Sequence, residues 1–167
     1  MEFELKPLTE AGITLALARA EKYRLLNEPV QAESICLDIL RVDPKHQEAI
    51  IFLLLSLADQ FVDSVSGNLE RALALLPRLE EEYHRIYYHG LLCERQARIH
   101  LRRGAPGSKY AAFDLFSKAM HCYEKAEQVR PSMNDEALLR WNTCARAIMS
   151  SHLEPQPADD SATLMLE

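Results

Sequence analysis

A chain of 167 residues with 48% apolar content builds one compact domain with a real core and leaves little room for a second. Its formal charge of -6 and pI near 5.5 disfavour phosphate backbones and anionic membrane surfaces, which both reward a basic face, so neither nucleic acid nor a membrane is an expected partner. The cysteines Cys36, Cys93, Cys122 and Cys144 include no C-x-x-C pair and no histidine at zinc-finger spacing. They read as reduced, small apolar residues, which suits a cytoplasmic chain.

The opening Met1-Glu-Phe-Glu-Leu-Lys6 carries two acids and no apolar run, so a secretory signal is not expected. A first helix is predicted from Glu10 to Leu26, with Thr9 as its N-cap and Leu8 and Ile13 as a hydrophobic staple. Asn27-Glu-Pro29 ends it. A second helix follows from Val30 to Val42, and Asp43-Pro44 stops it and starts the third, Lys45 to Val62, with Pro44 in the first turn. The stretch Ala49-Ile-Ile-Phe-Leu-Leu-Leu55 is apolar on every side but about half as long as a membrane span of roughly 20 residues requires.

Ser66-Gly67-Asn68 is read as the break before a fourth helix, Leu69 to Leu79, which Pro77 either kinks or ends. The run Glu80 to Arg103 is predicted as one long helix closed by Gly104, and Ser108 to Val129 as a sixth. A seventh, Asp135 to His152, has its apolar stripe at Leu138, Trp141, Ala145, Ile148 and Met149. Glu154-Pro-Gln-Pro-Ala-Asp-Asp-Ser161 reads as an extended acidic linker before the apolar tip Leu164-Met165-Leu166. The domain division is therefore 1–153, helical, and 154–167, an acidic proline-containing tail.

One short helical unit recurs. Ala32, Cys36 and Pro44 stand in the same frame as Ala119, Tyr123 and Pro131: a tiny side chain where another helix crosses, a larger knob four residues on, and a proline twelve residues on. Upstream of the first set, Ala16, Arg19, Ala20 and Tyr23 match the spacing of the preceding helix, with Ala20 in a small slot and Tyr23 in an aromatic one. Upstream of the second stand Ile86, His89, Gly90 and Cys93. These segments resemble tetratricopeptide repeats. Ala16 and Arg19 depart from the tryptophan and leucine of that pattern. Gly90 to Ala119 is about 17 residues longer than a repeat of roughly 34 allows. The unit between them is degenerate, offering Ile50, Leu53, Leu54 and Leu57, then Ala72 and Leu76, with no proline to close it.

The resemblance implies an all-α fold of antiparallel helical hairpins, stacked as a short tetratricopeptide-like right-handed superhelix with a C-terminal capping helix. It also implies a concave groove lined by the first helix of each pair. Leu17 and Glu21, Ile51 and Leu55, Tyr87 and Leu91, and Leu139 occupy the groove positions, and each reads alternatively as core because helix phase slips by a residue at boundaries. The acids Glu21, Glu48, Asp59 and Glu94 at the rim favour a basic fringe on the partner. No lysine, arginine or asparagine stands where chaperone-binding members of the family clamp a C-terminal carboxylate.

The helix apolar all round from Ala49 to Leu55 calls for cover on every side: a partner, a second copy of the chain, or the Leu164–Leu166 tip. Arg95, Arg98 and Arg102 share one helix face and read as an anion site or, more simply, as a solvated stripe paired with Glu80 to Glu82 or Glu94. Tyr83, Tyr87, Tyr88 and Trp141 read as core or groove aromatics before base-stacking platforms. Gly104-Ala-Pro-Gly107 lacks the residues of a phosphate loop. The functional expectation is a non-enzymatic scaffold or adaptor that binds an apolar or amphipathic segment of a protein partner, with no cofactor and no metal. The alternatives are a self-associating homo-oligomeric subunit and a metal or thiol protein around His89 and Cys93, with His100 nearby.

Overall fold

A computed structural model of the chain describes residues 3–62 and 65–157; the Leu164–Leu166 tip lies outside them. Among the described residues there are seven α-helices and no strand: α1 (Ile13–Leu25), α2 (Pro29–Val42), α3 (Gln47–Asp59), α4 (Val65–Leu75), α5 (Glu82–Arg103), α6 (Ser108–Gln128) and α7 (Glu136–Ser150). Each helix packs mainly on the one before and the one after it, α5 with α6 most extensively. The fold is all-α, and short connections make the neighbours hairpins.

Local chemistry sets the boundaries. A 3-10 turn, Glu10–Gly12, precedes α1, and the Thr9 side chain makes no capping bond. Asn27, left-handed at φ 60°, ends α1: its N–H donates to the Arg24 carbonyl (2.9 Å) and that of Glu28 to Tyr23 (2.9 Å), the paired closure of a Schellman motif. Pro29 does not terminate a helix but opens α2 at its first turn, where a missing N–H costs nothing. Asp43 caps Lys45 N–H (3.1 Å) in an Asx turn, and α3 starts beyond Pro44, with His46 Nδ1 accepting from Ala49 N–H (3.3 Å).

Ser66, Gly67 and Asn68 lie inside α4, not in a break before it. The run fills the first turn of that helix, where the N–H groups have no intrahelical partner and serine, asparagine and glycine are tolerated better than in an interior. Pro77 sits in a 3-10 turn, Leu76–Arg78, that ends the helix. Gly104, at φ 60°, closes α5 with its N–H on the His100 carbonyl (3.2 Å). The α7 stripe is rotated from the predicted one: Ala137 and Cys144 are buried with Trp141, Ala147 and Ile148 packed on the core, whereas Leu138 and Met149 are exposed.

The small residues of the recurrent unit mark the helix crossings. Ala20, Ala32, Cys36, Ala119 and Tyr123 are fully buried. At Gly90, a Cβ would lie 3.0 Å from the Cys122 Cβ and 3.2 Å from the Ala119 carbonyl oxygen, so only glycine lets α5 and α6 approach this closely. Most of α3 is buried by the chain itself, including Ala49, Ile50, Leu53, Leu54 and Leu57, and Ile51, Phe52 and Leu55 are left half-buried.

Candidate functional site

The seven expected groove residues divide by environment. Leu17, Ile51 and Leu55 are half-buried against the core, Glu21 is exposed, and Leu139 is 61% exposed. Tyr87 and Leu91 are buried, at 6% and 2% exposure, so their core reading holds. The reason is the packing of α5 along α6, the most extensive between any two helices, which encloses Tyr87 among aromatic neighbours on both. Tyr87 stacks on Tyr83 (centroids 5.5 Å apart) and meets Tyr88 edge-on (5.1 Å) and Tyr123 at a tilt (5.7 Å). An edge of Tyr87 still borders a surface cavity of about 270 Å³ with Glu136, Leu139, Arg140 and Thr143.

Across the odd-numbered helices runs a network of charges. Arg24 of α1 donates to Asp59 Oδ2 of α3 through Nε (3.0 Å) and Nη2 (2.9 Å), and Arg95 of α5 lies 3.4 Å from Asp59 Oδ1. Glu94, 1% exposed, accepts at Oε1 from Arg98 (3.1 and 3.0 Å) and from Arg140 of α7 (3.3 Å), and at Oε2 from the Tyr123 hydroxyl (2.9 Å). A carboxylate taken out of water persists only with such partners, because its desolvation costs several kcal/mol. The ion pairs therefore place α1, α3, α5 and α7 along one shared face.

Two of the four acids expected at the rim are engaged within the fold, whereas Glu21 and Glu48 stay exposed. Asp59 and Glu94 are already held by four arginines, so around them cations outnumber acids. Between α3 and α5 a cavity of about 400 Å³ is lined by Ala58, Asp59 and Phe61 on one side and Arg95, Arg98 and Arg102 on the other. Arg95 and Arg98 are already paired with Asp59 and Glu94, and Asp59 itself lines this cavity, so among the described residues Arg102 is the cavity arginine in no ion pair and the one placed to grip a carboxylate beside the apolar surface of Ala58 and Phe61. Burial, and then the charge of Glu94, push the Tyr123 hydroxyl well above its ordinary range, so it remains a donor. Burial disfavours the charged form of Arg140, but Glu94 and Tyr87 outweigh it and the group is held more firmly protonated than usual.

The remaining candidates resolve differently. His89 faces Cys122, not Cys93, with Nδ1 3.7 Å from Sγ. Burial pushes the Cys93 thiol up to about 11 and that of Cys122 upward too, leaving both protonated and weak as nucleophiles at neutral pH. Among the described residues no group of three or more histidines, cysteines or acids is arranged to hold a metal ion, and no helix is long and apolar enough to cross a membrane. Trp141 donates to Glu124 (2.9 Å) and Tyr83 to Asn134 (3.3 Å), so both are committed within the fold.

The Glu94–Arg98 pair was readable as an i,i+4 pair on one helix. The long-range partners Arg24 and Arg140 had no local signal, since they meet their carboxylates only through the stacking of hairpins. Comparison with family models, with curated proteins and with solved structures finds no match.

Proposed function

We propose that this chain is a non-enzymatic, cytoplasmic scaffold or adaptor that holds an apolar or amphipathic segment of another protein along the face shared by α1, α3, α5 and α7. In this reading the hairpins stack as a short tetratricopeptide-like right-handed superhelix, supported by the small residues at the crossings, above all Gly90 against Ala119. The observation that carries the reading is that partly buried Leu17 shares a helical stripe with Arg24, and Ile51 and Leu55 with Asp59, and that the Arg24–Asp59 pair joins these stripes beside the cavity lined by Arg95, Arg98 and Arg102. Completing the burial of three such aliphatic side chains is worth on the order of 1 kcal/mol each, about half of full burial. An acidic side chain of the segment then enters the arginine cavity and sets its register.

The test is selection from a displayed random-peptide library on the intact protein, with counter-selection on the double variant Leu55→Glu, Arg95→Glu. Peptides combining apolar residues with an acid, retained by the wild type and lost on the variant, support the reading. Enriched peptides that bind the variant equally well refute it.

A second reading rests on α7. A terminal helix of a solenoid ordinarily presents a polar outer side, yet Leu138, Leu139 and Met149 are exposed on this one, the last two at 61% and 64%. Self-association through that end is checked by the mass of the protein in solution, with Leu139→Glu and Met149→Glu returning a dimer to monomer.

A further inference from the structure

On the opposite side of α5 lies a second cavity, larger than the first. In this chain α4 packs on α3 and touches α5, but makes little contact with α6, so a cleft opens between the second helices of successive hairpins. Its volume is about 630 Å³, within the size range of small-molecule sites. The walls are Leu76 and Pro77 of the turn after α4 and Ile86 of α5. The floor is sealed where α5 and α6 cross at Gly90, with Cys93 and Cys122 beside it.

The charge of the cleft contrasts with that of the chain. Acids outnumber lysine and arginine by 25 to 19 over the whole sequence, yet among the described residues those lining the cleft include Arg85, Lys118 and Lys125, together with two imidazoles and no carboxylate. Arg85 spends its Nη1 on the Leu79 and Glu80 carbonyls (2.7 and 2.8 Å), which fixes its position without neutralising it. Neither lysine is ion-paired within the described residues. A helix about 10–12 Å across advances about 5.4 Å per turn, so this volume admits roughly one turn, too little to anchor a partner helix. It suits a compact ligand instead.

We propose that the cleft between α4 and α6 is a binding site for a small amphiphilic monocarboxylate, its aliphatic body against Leu76, Pro77 and Ile86 and its carboxylate at Lys118 and Lys125. The apolar walls supply the attraction and the basic rim the selectivity, since a neutral analogue leaves the ammonium groups with water and gains nothing from them. The two thiols serve as polarizable apolar floor. This site is independent of the α1–α3–α5–α7 face and stands whether or not that face binds a peptide.

The test is calorimetric titration of the full-length chain with decanoate at neutral pH and submicellar concentration, beside decanol and decyltrimethylammonium. Saturable binding of one decanoate, at least tenfold tighter than either analogue, is expected. Charge reversal in Lys118→Glu, Lys125→Glu should weaken decanoate at least tenfold, and the milder Lys118→Gln, Lys125→Gln serves if the reversal disturbs folding. Ile86→Trp, which fills the cleft, should abolish binding, and Lys22→Glu, an exposed charge reversal on α1, should leave it unchanged. Decanol binding as tightly as decanoate, unchanged affinity in the lysine variants, or no saturable uptake would each overturn the proposal.

Discussion

Replacing Glu94 by glutamine removes one charge and almost no volume from the most deeply enclosed ionic group in the protein. The carboxylate receives two guanidinium groups at Oε1 and the Tyr123 hydroxyl at Oε2. A glutamine keeps its one acceptor oxygen on the arginines by turning its NH2 group to Tyr123, whose hydroxyl oxygen can accept, so the bonds persist in number but lose the carboxylate charge that strengthened them. Hydrogen bonds to charged groups are worth about 1.5–3 kcal/mol, and breaking a buried ion pair from one side costs roughly 3–5 kcal/mol. The arginine side chains are 42% and 34% exposed and recover much of their hydration, which discounts that figure. What remains is the weakening of the bonds from Arg98, Arg140 and the fully buried Tyr123, all of which lose a charged acceptor. A loss of about 2–3 kcal/mol is expected, or a fall in Tm of roughly 4–12 °C for a chain of this size.

Thermal and urea unfolding followed by far-UV circular dichroism measure the effect, and a double-mutant cycle with Tyr123→Phe should return a coupling of about 1 kcal/mol or more. If Glu94→Gln unfolds within about 0.5 kcal/mol of the wild type, the carboxylate is not the organising centre of the α5–α6–α7 packing and the argument fails.

Other outcomes follow from the same geometry. Leu55→Glu should leave helicity intact because the side chain is already half in water, whereas Tyr87→Asp should unfold the domain; circular dichroism of both separates face from core. Gly90→Ala gains about 1 kcal/mol of helix propensity but forces a Cβ against backbone at 3.2 Å, so a net loss of about 1–2 kcal/mol is expected from urea unfolding. Burial raises the Cys36 and Cys144 thiols from their ordinary 9.0 to about 12 in the folded chain, so above pH 9 the unfolded state sheds protons that the native state retains. Stability should be constant with respect to these thiols below pH 9 and fall between pH 9 and 12, at a slope approaching about 1.4 kcal/mol per pH unit per thiol. Urea midpoints across that window, in wild type and in Cys36→Ala, Cys144→Ala, check the sign.

Much of the helical framework was legible because local signals agreed. Gly104 and the Asn27–Pro29 turn fell near predicted boundaries, and the alanines and Gly90 of the recurrent unit fell at crossings. The Ser66-Gly67-Asn68 run misled because the same residue types serve a loop and the first turn of a helix, where this run lies. The stripe on α7 was misplaced by one residue because Leu138 and Met149 drew it away from the smaller Ala137 and Cys144. The face itself was harder. Its apolar members on α1 and α3 were readable from helical phase, but Tyr87 and Leu91 are core, because α5 packs so extensively along α6. Its electrostatic character depended on Arg24 and Arg140, residues 35 and 46 positions from the carboxylates they hold. Net charge pointed the other way, since a chain of -6 carries a local excess of arginine that no sum over the sequence displays.

Hydrogen exchange of the protein with and without a library-selected peptide bears most directly on the α1–α3–α5–α7 face. Added protection should concentrate in the segments around Leu17, Ile51–Leu55 and Arg95–Arg102, leaving α2 and the outer side of α6 unchanged. Protection confined to α2, α4 or α6, with those three segments unaffected, would contradict the account.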